Sequence, residues 1–376
     1  MAFLENWNCM VKIGKEKLLL DLYAAYYDAR KHKGTRTYVK EFETNLHENL
    51  VELRDKIYNR TYVQEPLTCF IINHPKKREV FASKFVDRIV HHLYFNYTHE
   101  LFEDIFIYDC YSCIKSRGTS FGIDRIKHHI RSESHNYRKK CWVLKLDISS
   151  YFMTIDRKLL LNIIGRHLER GKFKENLDID LIRYLSEVIV LKDPTENCAM
   201  KSGREDYIGL AKGKSLFNQE KGKGLPIGNL TSQLFSNVYL NELDQFVKRQ
   251  LKMKHYGRYV DDFYIVSSDK DKLHWCVGEI RKFLESELAL GMNEGKTVIR
   301  DVRYGVEFLG VFIKPGRTYI SNQCARRIKA KIEEDSKTKT KEEMRQSYIS
   351  RLGYMKKCNA YNFVKKMVYG IEPIAD

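Results

Sequence analysis

The stretch Tyr259-Val260-Asp261-Asp262-Phe263-Tyr264-Ile265-Val266 places two adjacent aspartates inside an apolar segment. Apolar and polar residues alternate on both sides, which predicts two short strands joined by a tight turn at the acids. Neighbouring carboxylates repel each other and are costly when partly buried, so proteins usually keep such a pair beside a divalent cation. A lone Asp-Asp pair is more often a solvated turn, so the rest of the sequence must decide between the two interpretations.

A third carboxylate ends another apolar segment, Trp142-Val143-Leu144-Lys145-Leu146-Asp147. Three carboxylates can hold two Mg²⁺ ions, which prefer hard oxygen ligands and also accept substrate phosphates. Two metals of this kind drive in-line nucleotidyl transfer in polymerases. Between the acidic segments lies a Gly/Pro loop at residues 224–233 (GLPIGNLTSQ), which opens a helix predicted to continue through Leu243. Glycine in such a loop lets the backbone approach a template or nucleotide closely.

These segments, in this order, resemble the reverse transcriptases over most of the chain. Asp147 resembles the motif A aspartate, residues 224–233 resemble motif B, and residues 259–262 resemble motif C. Residues 293–297 (NEGKT) resemble motif D, and residues 306–310 (VEFLG) resemble the primer-grip hairpin. The resemblance implies an α+β right-hand polymerase with fingers, a palm built on an antiparallel sheet, and a helical thumb.

The resemblance also implies RNA-directed DNA synthesis, with Asp147, Asp261 and Asp262 holding two Mg²⁺ ions, for which Mn²⁺ can substitute. Lys296 of motif D is the expected proton donor to the leaving pyrophosphate, although a solvated lysine is an equal alternative. The primer grip is expected at three residues: Phe308, Leu309 and Gly310.

Motif B points to a subgroup. Most reverse transcriptases carry Gln-Gly-x-x-x-Ser-Pro there, whereas this chain has Ile227 and Gly228 at the start and Gln233 at the end. This pattern is similar to the reverse transcriptases of diversity-generating retroelements, which copy a template RNA with frequent errors at adenines and so rewrite a variable gene. Because Ile227 cannot hydrogen-bond near the nascent pair, discrimination there must rest on shape, which selects weakly. Template contact and fidelity are therefore assigned to Ile227 and Gln233, and nucleotide contact to Ile227 and Gly228.

Further nucleotide contacts follow from the resemblance. The basic turn at residues 74–79 (HPKKRE) corresponds to the segment that binds the incoming triphosphate, with Arg78 as the main candidate and Lys76 and Lys77 as helpers. A solvated basic hairpin is the alternative. Phe152 lies five residues after Asp147, where the family carries an aromatic ring that clashes with a ribose 2′-OH. An ordinary core phenylalanine is the alternative for Phe152.

The predicted domains are a helical N-terminal extension (1–60), fingers (61–135), a palm (136–320) with an insertion at about 192–223, and a helical basic thumb (321–376). The last segment carries 13 Lys/Arg against 7 Asp/Glu, which suits a surface that follows a duplex backbone. Arg117 begins a short segment (RGTS) that is either a loop near the template or the start of a helix.

Composition limits the setting and the partners. The net charge of +17 suits a polyphosphate partner. The sequence shows neither a secretory signal nor a membrane span, and nine cysteines are an odd number, so a reducing cytoplasm is expected. Cys110 and Cys113 have zinc-like spacing, but without a second pair they are interpreted as ordinary thiols.

The expected partners are a template RNA, the cDNA/RNA duplex, dNTPs and a small basic accessory protein, with no membrane. The rival interpretations are another bacterial reverse transcriptase, of retron, group II intron or phage-defence type, and a non-catalytic RNA-binding module on a palm scaffold. A retron enzyme should show Asn-Ala-x-x-His and Val-Thr-Gly, which are not found, and an intron enzyme is expected to carry a maturase region after the thumb. The intact carboxylate trio disfavours the non-catalytic module.

Overall fold

The computed structural model describes residues 12–73, 76–170, 177–355 and 358–368. Within these ranges the helices are α1 (Lys15–Arg30), α2 (Thr37–Thr44), α3 (Leu46–Tyr58), α4 (Phe85–Glu103), α5 (Thr119–Glu133), α6 (Tyr151–Thr154), α7 (Arg157–Arg170), α8 (Ile179–Leu191), α9 (Leu230–Gln245), α10 (Lys270–Leu288), α11 (Asn322–Thr338), α12 (Lys341–Met355) and α13 (Tyr361–Val368). The strands are β1 (Thr68–Ile72), β2 (Arg78–Ala82), β3 (Trp142–Asp147), β4 (Ala199–Met200), β5 (His255–Tyr259), β6 (Asp262–Ser267), β7 (Val298–Asp301), β8 (Val306–Phe308), β9 (Val311–Lys314) and β10 (Arg317–Ile320).

The chain divides into two compact units, each assembled from separate stretches of sequence. The first unit takes its described residues from 1–107, 149–245 and 283–291, and the second from 108–148, 246–282 and 292–376. These two units do not test the predicted division into fingers, palm and thumb, so its boundaries stay predictions. The first two residues of the basic turn at 74–79, and both ends of the chain, lie outside the described residues.

The first unit combines a small sheet with packed helices. Its strands run in the order β2-β1-β4, with β1 and β2 antiparallel and β4 parallel to β1. Helix α4 packs against α1, α8 and α9, and α7 packs against α8 and α9. The apolar stripes of the predicted N-terminal helices lie inside, because Leu18, Leu22 and Tyr26 of α1 and Leu53 and Ile57 of α3 are buried.

The insertion at 192–223 was predicted as a loop without regular period, and the structure resolves it into β4 and three short 3-10 turns. It is tied to β2 through two charged side chains of the basic turn. The buried carboxylate of Glu79 accepts hydrogen bonds from the Ser215 hydroxyl (2.9 Å) and the Leu216 amide (2.7 Å). The Lys77 ammonium donates to the carbonyls of Asp206 (2.9 Å) and Ile208 (2.8 Å). The insertion is therefore a docked part of the first unit.

The second unit is built around a four-stranded antiparallel sheet in the order β5-β6-β3-β7. A second antiparallel sheet follows in the order β10-β9-β8. Their shared core includes Val143 of β3, Tyr264 of β6 and Phe308 of β8, and the rings of Tyr264 and Phe308 meet edge to face at 5.0 Å. The hairpin predicted at 306–310 is confirmed, because Leu309 and Gly310 form its turn with positive φ.

Three helices, α11 to α13, occupy the region predicted as a helical thumb. Ile332, Met355 and Ala360 are buried there, and Ile328 and Phe363 pack against them. Among the described residues, no helix has both the length and the apolar character needed to span a bilayer.

Candidate active site

The catalytic candidates Asp147 and Asp262 face each other across two adjacent strands. Asp147 ends β3, Asp262 begins β6, and the two form the last pair of the antiparallel register. Directly opposed residues in such a ladder have Cβ atoms about 4.5–5.5 Å apart, so the two carboxylates leave the sheet side by side. Asp261 occupies the turn between β5 and β6, next to Val260. The second unit thus brings together the three acids that the sequence singled out.

Two lysines and one asparagine surround these carboxylates. The Lys296 ammonium lies 2.7 Å from Oδ2 of Asp147, and the Asn293 amide donates to the same oxygen at 3.1 Å. The Lys145 ammonium lies 3.7 Å from Oδ1 of Asp262. Lys296 therefore forms an ion pair with one of the candidate acids, although its side chain is 58% exposed.

The carboxyl of Asp262 holds its proton more tightly than a free aspartate. Burial is the main cause, and it raises the pKa to about 6. Lys145 opposes this effect, while the negative charges of Asp261 and Asp147 add to it. Because burial and the two neighbouring acids disfavour the charged carboxylate, a bound cation would stabilise the ionised form of Asp262.

The donor chemistry of this cluster fits Mg²⁺. All three candidate ligands are carboxylates, the hard oxygen donors that Mg²⁺ prefers. Within the described ranges, no group of three or more His, Cys, Asp or Glu side chains is arranged so that it could hold a metal ion by itself. Mg²⁺ commonly uses only one or two protein carboxylates and completes its shell with water and substrate phosphates.

The nucleotide-pocket candidates Phe152 and Ile227 lie in the first unit and share one apolar support. Both side chains are half-buried and pack against the same cluster, which consists of Leu67, Cys69, Phe81, Met153 and Leu216. The Ile227 carbonyl accepts a hydrogen bond from the Phe81 amide at 2.9 Å, and the Phe152 carbonyl accepts one from the Leu225 amide at 2.7 Å. Two backbone bonds therefore fix the motif B loop at its start.

Close packing of the loop explains why position 228 is a glycine. Its φ is +125°, and a Cβ there would lie 2.9 Å from Cγ1 of Val80 and 3.1 Å from the Phe81 carbonyl oxygen. The absence of a side chain thus lets the loop pack closely on β2, whereas the sequence had suggested a close approach to template or nucleotide. Gln233 is exposed near the start of α9. Helix α9 confirms the helix predicted to continue through Leu243 and ends at Gln245.

Asn229, next to Gly228, continues this docking through a buried polar network. Its side-chain oxygen accepts from the Ser83 hydroxyl at 2.8 Å, and the same hydroxyl lies 3.1 Å from Nε2 of His91. Nδ1 of His91 lies 2.7 Å from the Thr231 hydroxyl. His91 itself is buried.

The basic candidates differ in their availability. Arg78 and Lys76 are exposed, whereas Lys77 is held by the two carbonyls of the insertion. Arg117 donates to the Cys110 carbonyl at 3.1 Å and lies over the ring of Tyr108. The helix start proposed as an alternative for the RGTS segment is observed, since α5 begins at Thr119.

Sequence reasoning missed Lys145 and Asn293 as members of the site. Lys145 lies two residues before Asp147, and residues i and i+2 of a strand share a face, so this signal was readable. Asn293 begins the motif D segment, but only the folded chain shows that its side chain reaches Asp147.

Comparisons with known proteins show what this chain is similar to. A family model described as "Reverse transcriptase (RNA-dependent DNA polymerase)" matches residues 76–313. Protein YkfC of Escherichia coli (strain K12) is 29% identical over 201 residues, which cover 45% of this chain and 46% of that protein. The group II intron-encoded protein LtrA of Lactococcus lactis subsp. cremoris is 20% identical over 365 residues, which cover 79% of this chain and 55% of LtrA. The chain thus spans about half the length of these relatives.

Among solved structures, an apo telomerase from Candida tropicalis, truncated from its C-terminal domain, aligns with a TM-score of 0.48 and 15% identity. The alignment covers 73% of this chain and 60% of that one.

The negative charge of the three aspartates predicts a role in cation binding. Asp261→Asn keeps the size of the side chain and removes its charge, so we expect Mn²⁺ binding, followed by electron paramagnetic resonance, to weaken at least about tenfold. The matched control is Asp271→Asn, an exposed aspartate in the first turn of α10, which should leave binding unchanged. Equal Mn²⁺ affinity in the two variants would contradict a metal role for Asp261.

Proposed function

Because this chain belongs to the reverse transcriptase (RNA-dependent DNA polymerase) family, we propose that it copies a template RNA into complementary DNA from dNTPs. The observation that carries the proposal is the pairing of Asp147 with Asp262 at the end of the β3–β6 ladder, with Asp261 in the adjoining turn. A structural scaffold would have no reason to keep three carboxylates where they repel one another. All three lie inside the segment that the family model matches.

In this proposal Asp147, Asp261 and Asp262 hold two Mg²⁺ ions. When bound, these ions lower the pKa of the primer 3′-OH and offset the charge that develops on the reacting phosphate. Lys296 keeps a proton on Nζ beside Asp147 and delivers it to the leaving pyrophosphate as general acid. Lys145 balances part of the charge of Asp262, so that the site tolerates its acids before substrate binds.

Selection of the nucleotide is assigned to the first unit. Arg78, helped by Lys76, binds the triphosphate, because both side chains are exposed and a guanidinium forks onto phosphate oxygens. Lys77 supports them indirectly by fixing the insertion to the same turn. The ring of Phe152 excludes a ribose 2′-OH. We assign Phe308, Leu309 and Gly310 to the primer grip and Arg117 to the template.

The product duplex and the template RNA are the proposed polyanionic partners. The net charge of +17 and the 13 Lys/Arg of residues 321–376 support this assignment, since phosphate contacts release counterions from the nucleic acid. We propose the division into an N-terminal extension, fingers, palm and thumb on the same basis. The cytoplasm is the proposed setting, because the cysteines of the described residues form no disulfide.

We further propose that the enzyme belongs to the diversity-generating subgroup and makes errors at template adenines. The support is Ile227 and Gln233 in motif B, together with the apolar packing of Ile227. A small basic accessory protein is proposed as a partner on the same resemblance. A general bacterial enzyme of retron, group II intron or phage-defence type is the second candidate, favoured by the similarity to LtrA; the error spectrum separates the two.

Primer extension on an RNA template tests the polymerase proposal. We expect Asp147→Asn to lose Mg²⁺-dependent extension by several orders of magnitude, because two-metal chemistry supplies much of the barrier reduction. Asp271→Asn serves again as the charge-matched control and should extend normally. Extension by Asp147→Asn at a tenth of the wild-type rate would overturn the metal role of Asp147. No extension by the wild-type protein would overturn the polymerase proposal and favour the RNA-binding module.

The packing of Phe152 predicts its effect on sugar choice. Phe152→Val shortens the side chain while keeping an apolar contact with its cluster, so ribonucleotides should enter and the ratio of dNTP to rNTP use should fall at least about tenfold. Trp275→Val is the control, because Trp275 is an exposed aromatic residue of α10 that is not among the residues of this cluster. An unchanged ratio in an active Phe152→Val enzyme would remove Phe152 from this role.

The error spectrum tests the assignment of Ile227. A polar side chain there can restrain the template base or the incoming sugar, and one well-placed polar contact is worth about 1–3 kcal/mol, or roughly one to two decades of fidelity. We expect Ile227→Gln to lower misincorporation opposite template adenine more than opposite other bases. Ile227→Leu keeps an apolar side chain and should leave the spectrum unchanged. Sequencing of cDNA from a defined RNA measures both, and an unaltered adenine spectrum in active Ile227→Gln would place the infidelity elsewhere.

A further inference from the structure

The turn that presents Asp261 contains a backbone conformation that its residue disfavours. Val260 has a φ of +58°, in the left-handed region. A β-branched side chain is a genuine outlier there, because its Cβ crowds the following carbonyl. Such a conformation persists only where the surroundings hold it in place. The contacts of Val260 therefore bear directly on where the carboxylate of Asp261 lies.

Both backbone polar groups of Val260 are held by side chains. The amide of Val260 donates to the Ser112 hydroxyl at 3.2 Å. The carbonyl of Val260 accepts from Nη1 of Arg258 at 3.0 Å. The Arg258 residue is completely buried and Ser112 is 2% exposed, so water does not readily replace either contact. These two hydrogen bonds, called the clamp below, hold the left-handed turn at its amide and at its carbonyl.

The segment that carries Ser112 is itself fixed to β5. The Arg258 amide donates to the Asp109 carbonyl at 2.9 Å, and the Tyr111 amide donates to the Arg258 carbonyl at 3.0 Å. The buried carboxylate of Asp109 accepts from Nε of Arg125 at 2.6 Å and from the Tyr111 hydroxyl at 3.1 Å. Because Asp109 and Tyr111 are anchored just before Ser112, the Ser112 hydroxyl is held in place beside the turn.

We propose that Ser112 and Arg258 are positioning residues for Asp261, which hold Val260 in its left-handed turn and so set the geometry of the carboxylates for divalent metal. This inference rests on the proposed metal role of Asp261. It extends that role to a serine and an arginine that the chemistry of the acids does not require. It also assigns a cause to the strain at Val260: the energy of two buried hydrogen bonds holds the turn.

A metal-free measurement tests the clamp first. In the full chain without divalent cations, Ser112→Ala should raise hydrogen–deuterium exchange in the peptide that contains Val260, since the amide loses its acceptor. The control Ser116→Ala removes an exposed hydroxyl from the same segment, which donates to the neighbouring Lys115 carbonyl. Unchanged exchange at Val260 in a folded Ser112→Ala protein would overturn the clamp.

Metal binding then tests the positioning role. We expect Ser112→Ala to raise the Mn²⁺ dissociation constant about fivefold, the worth of one ordinary buried hydrogen bond. Glycine adopts positive φ readily, so Ser112→Ala combined with Val260→Gly should return to within about twofold of wild type, which a general loss of stability would not do. A Mn²⁺ affinity unchanged by Ser112→Ala, or a loss that Val260→Gly leaves in place, would overturn the inference.

The positioning role of Ser112 and the metal role of Asp261 can be disproved separately. If wild-type protein binds Mn²⁺ and Asp261→Asn weakens that binding while Ser112→Ala does not, only the positioning inference is lost. If Asp261→Asn leaves Mn²⁺ binding unchanged, the proposed metal role of Asp261 is lost, and the inference fails with it.

Discussion

The register between β3 and β6 is the constraint on which the rest of the second unit depends. Because Asp147 and Asp262 end the ladder as a direct pair, their carboxylates repel at a distance set by the backbone. A slip of one residue would turn every side chain of a strand to the opposite face and separate the pair. Lys145 and Lys296 reduce the repulsion, yet the pKa of Asp262 remains raised by burial and by its acidic neighbours.

A buried polar network anchors β6 close to the acids. Tyr264, two residues after Asp262, shares a hydrogen bond with Tyr111 (2.8 Å) and another with His129 (3.0 Å). Burial alone would raise the pKa of the Asp109 carboxyl, but hydrogen bonds from His129 and Arg125 hold it below its ordinary range. An ionised Asp109 thus remains available to anchor the segment beside β5. Removing one member would break hydrogen bonds between buried groups, and any group left without a partner would cost more than the bond itself.

The sequence predicted the parts of the molecule that leave a local signal. The apolar alternation around Asp261 predicted the hairpin, the helical spacing predicted the helices before residue 60, and the match to the reverse transcriptase family confirms the α+β right-hand polymerase class. Contacts between distant segments left no such signal. Lys77 and Glu79 belong to the basic turn that was predicted to bind the triphosphate, whereas the structure uses both side chains to hold the insertion. Side-chain hydrogen bonds over more than a hundred residues have no periodicity, so only the folded chain shows them.

The proposed determinants of sugar choice and base choice depend on the same packing. Phe152 and Ile227 contact one apolar cluster, and the carbonyl of Ile227 is bonded to the amide of Phe81, which belongs to that cluster. Protein interiors are close-packed, so a change of volume at one member shifts its neighbours. The shape of the wall at Ile227 therefore cannot vary independently of the ring at Phe152. The two proposed roles are therefore coupled, because a substitution at Ile227 that displaces Leu67 or Phe81, both buried, also moves the support of the Phe152 ring.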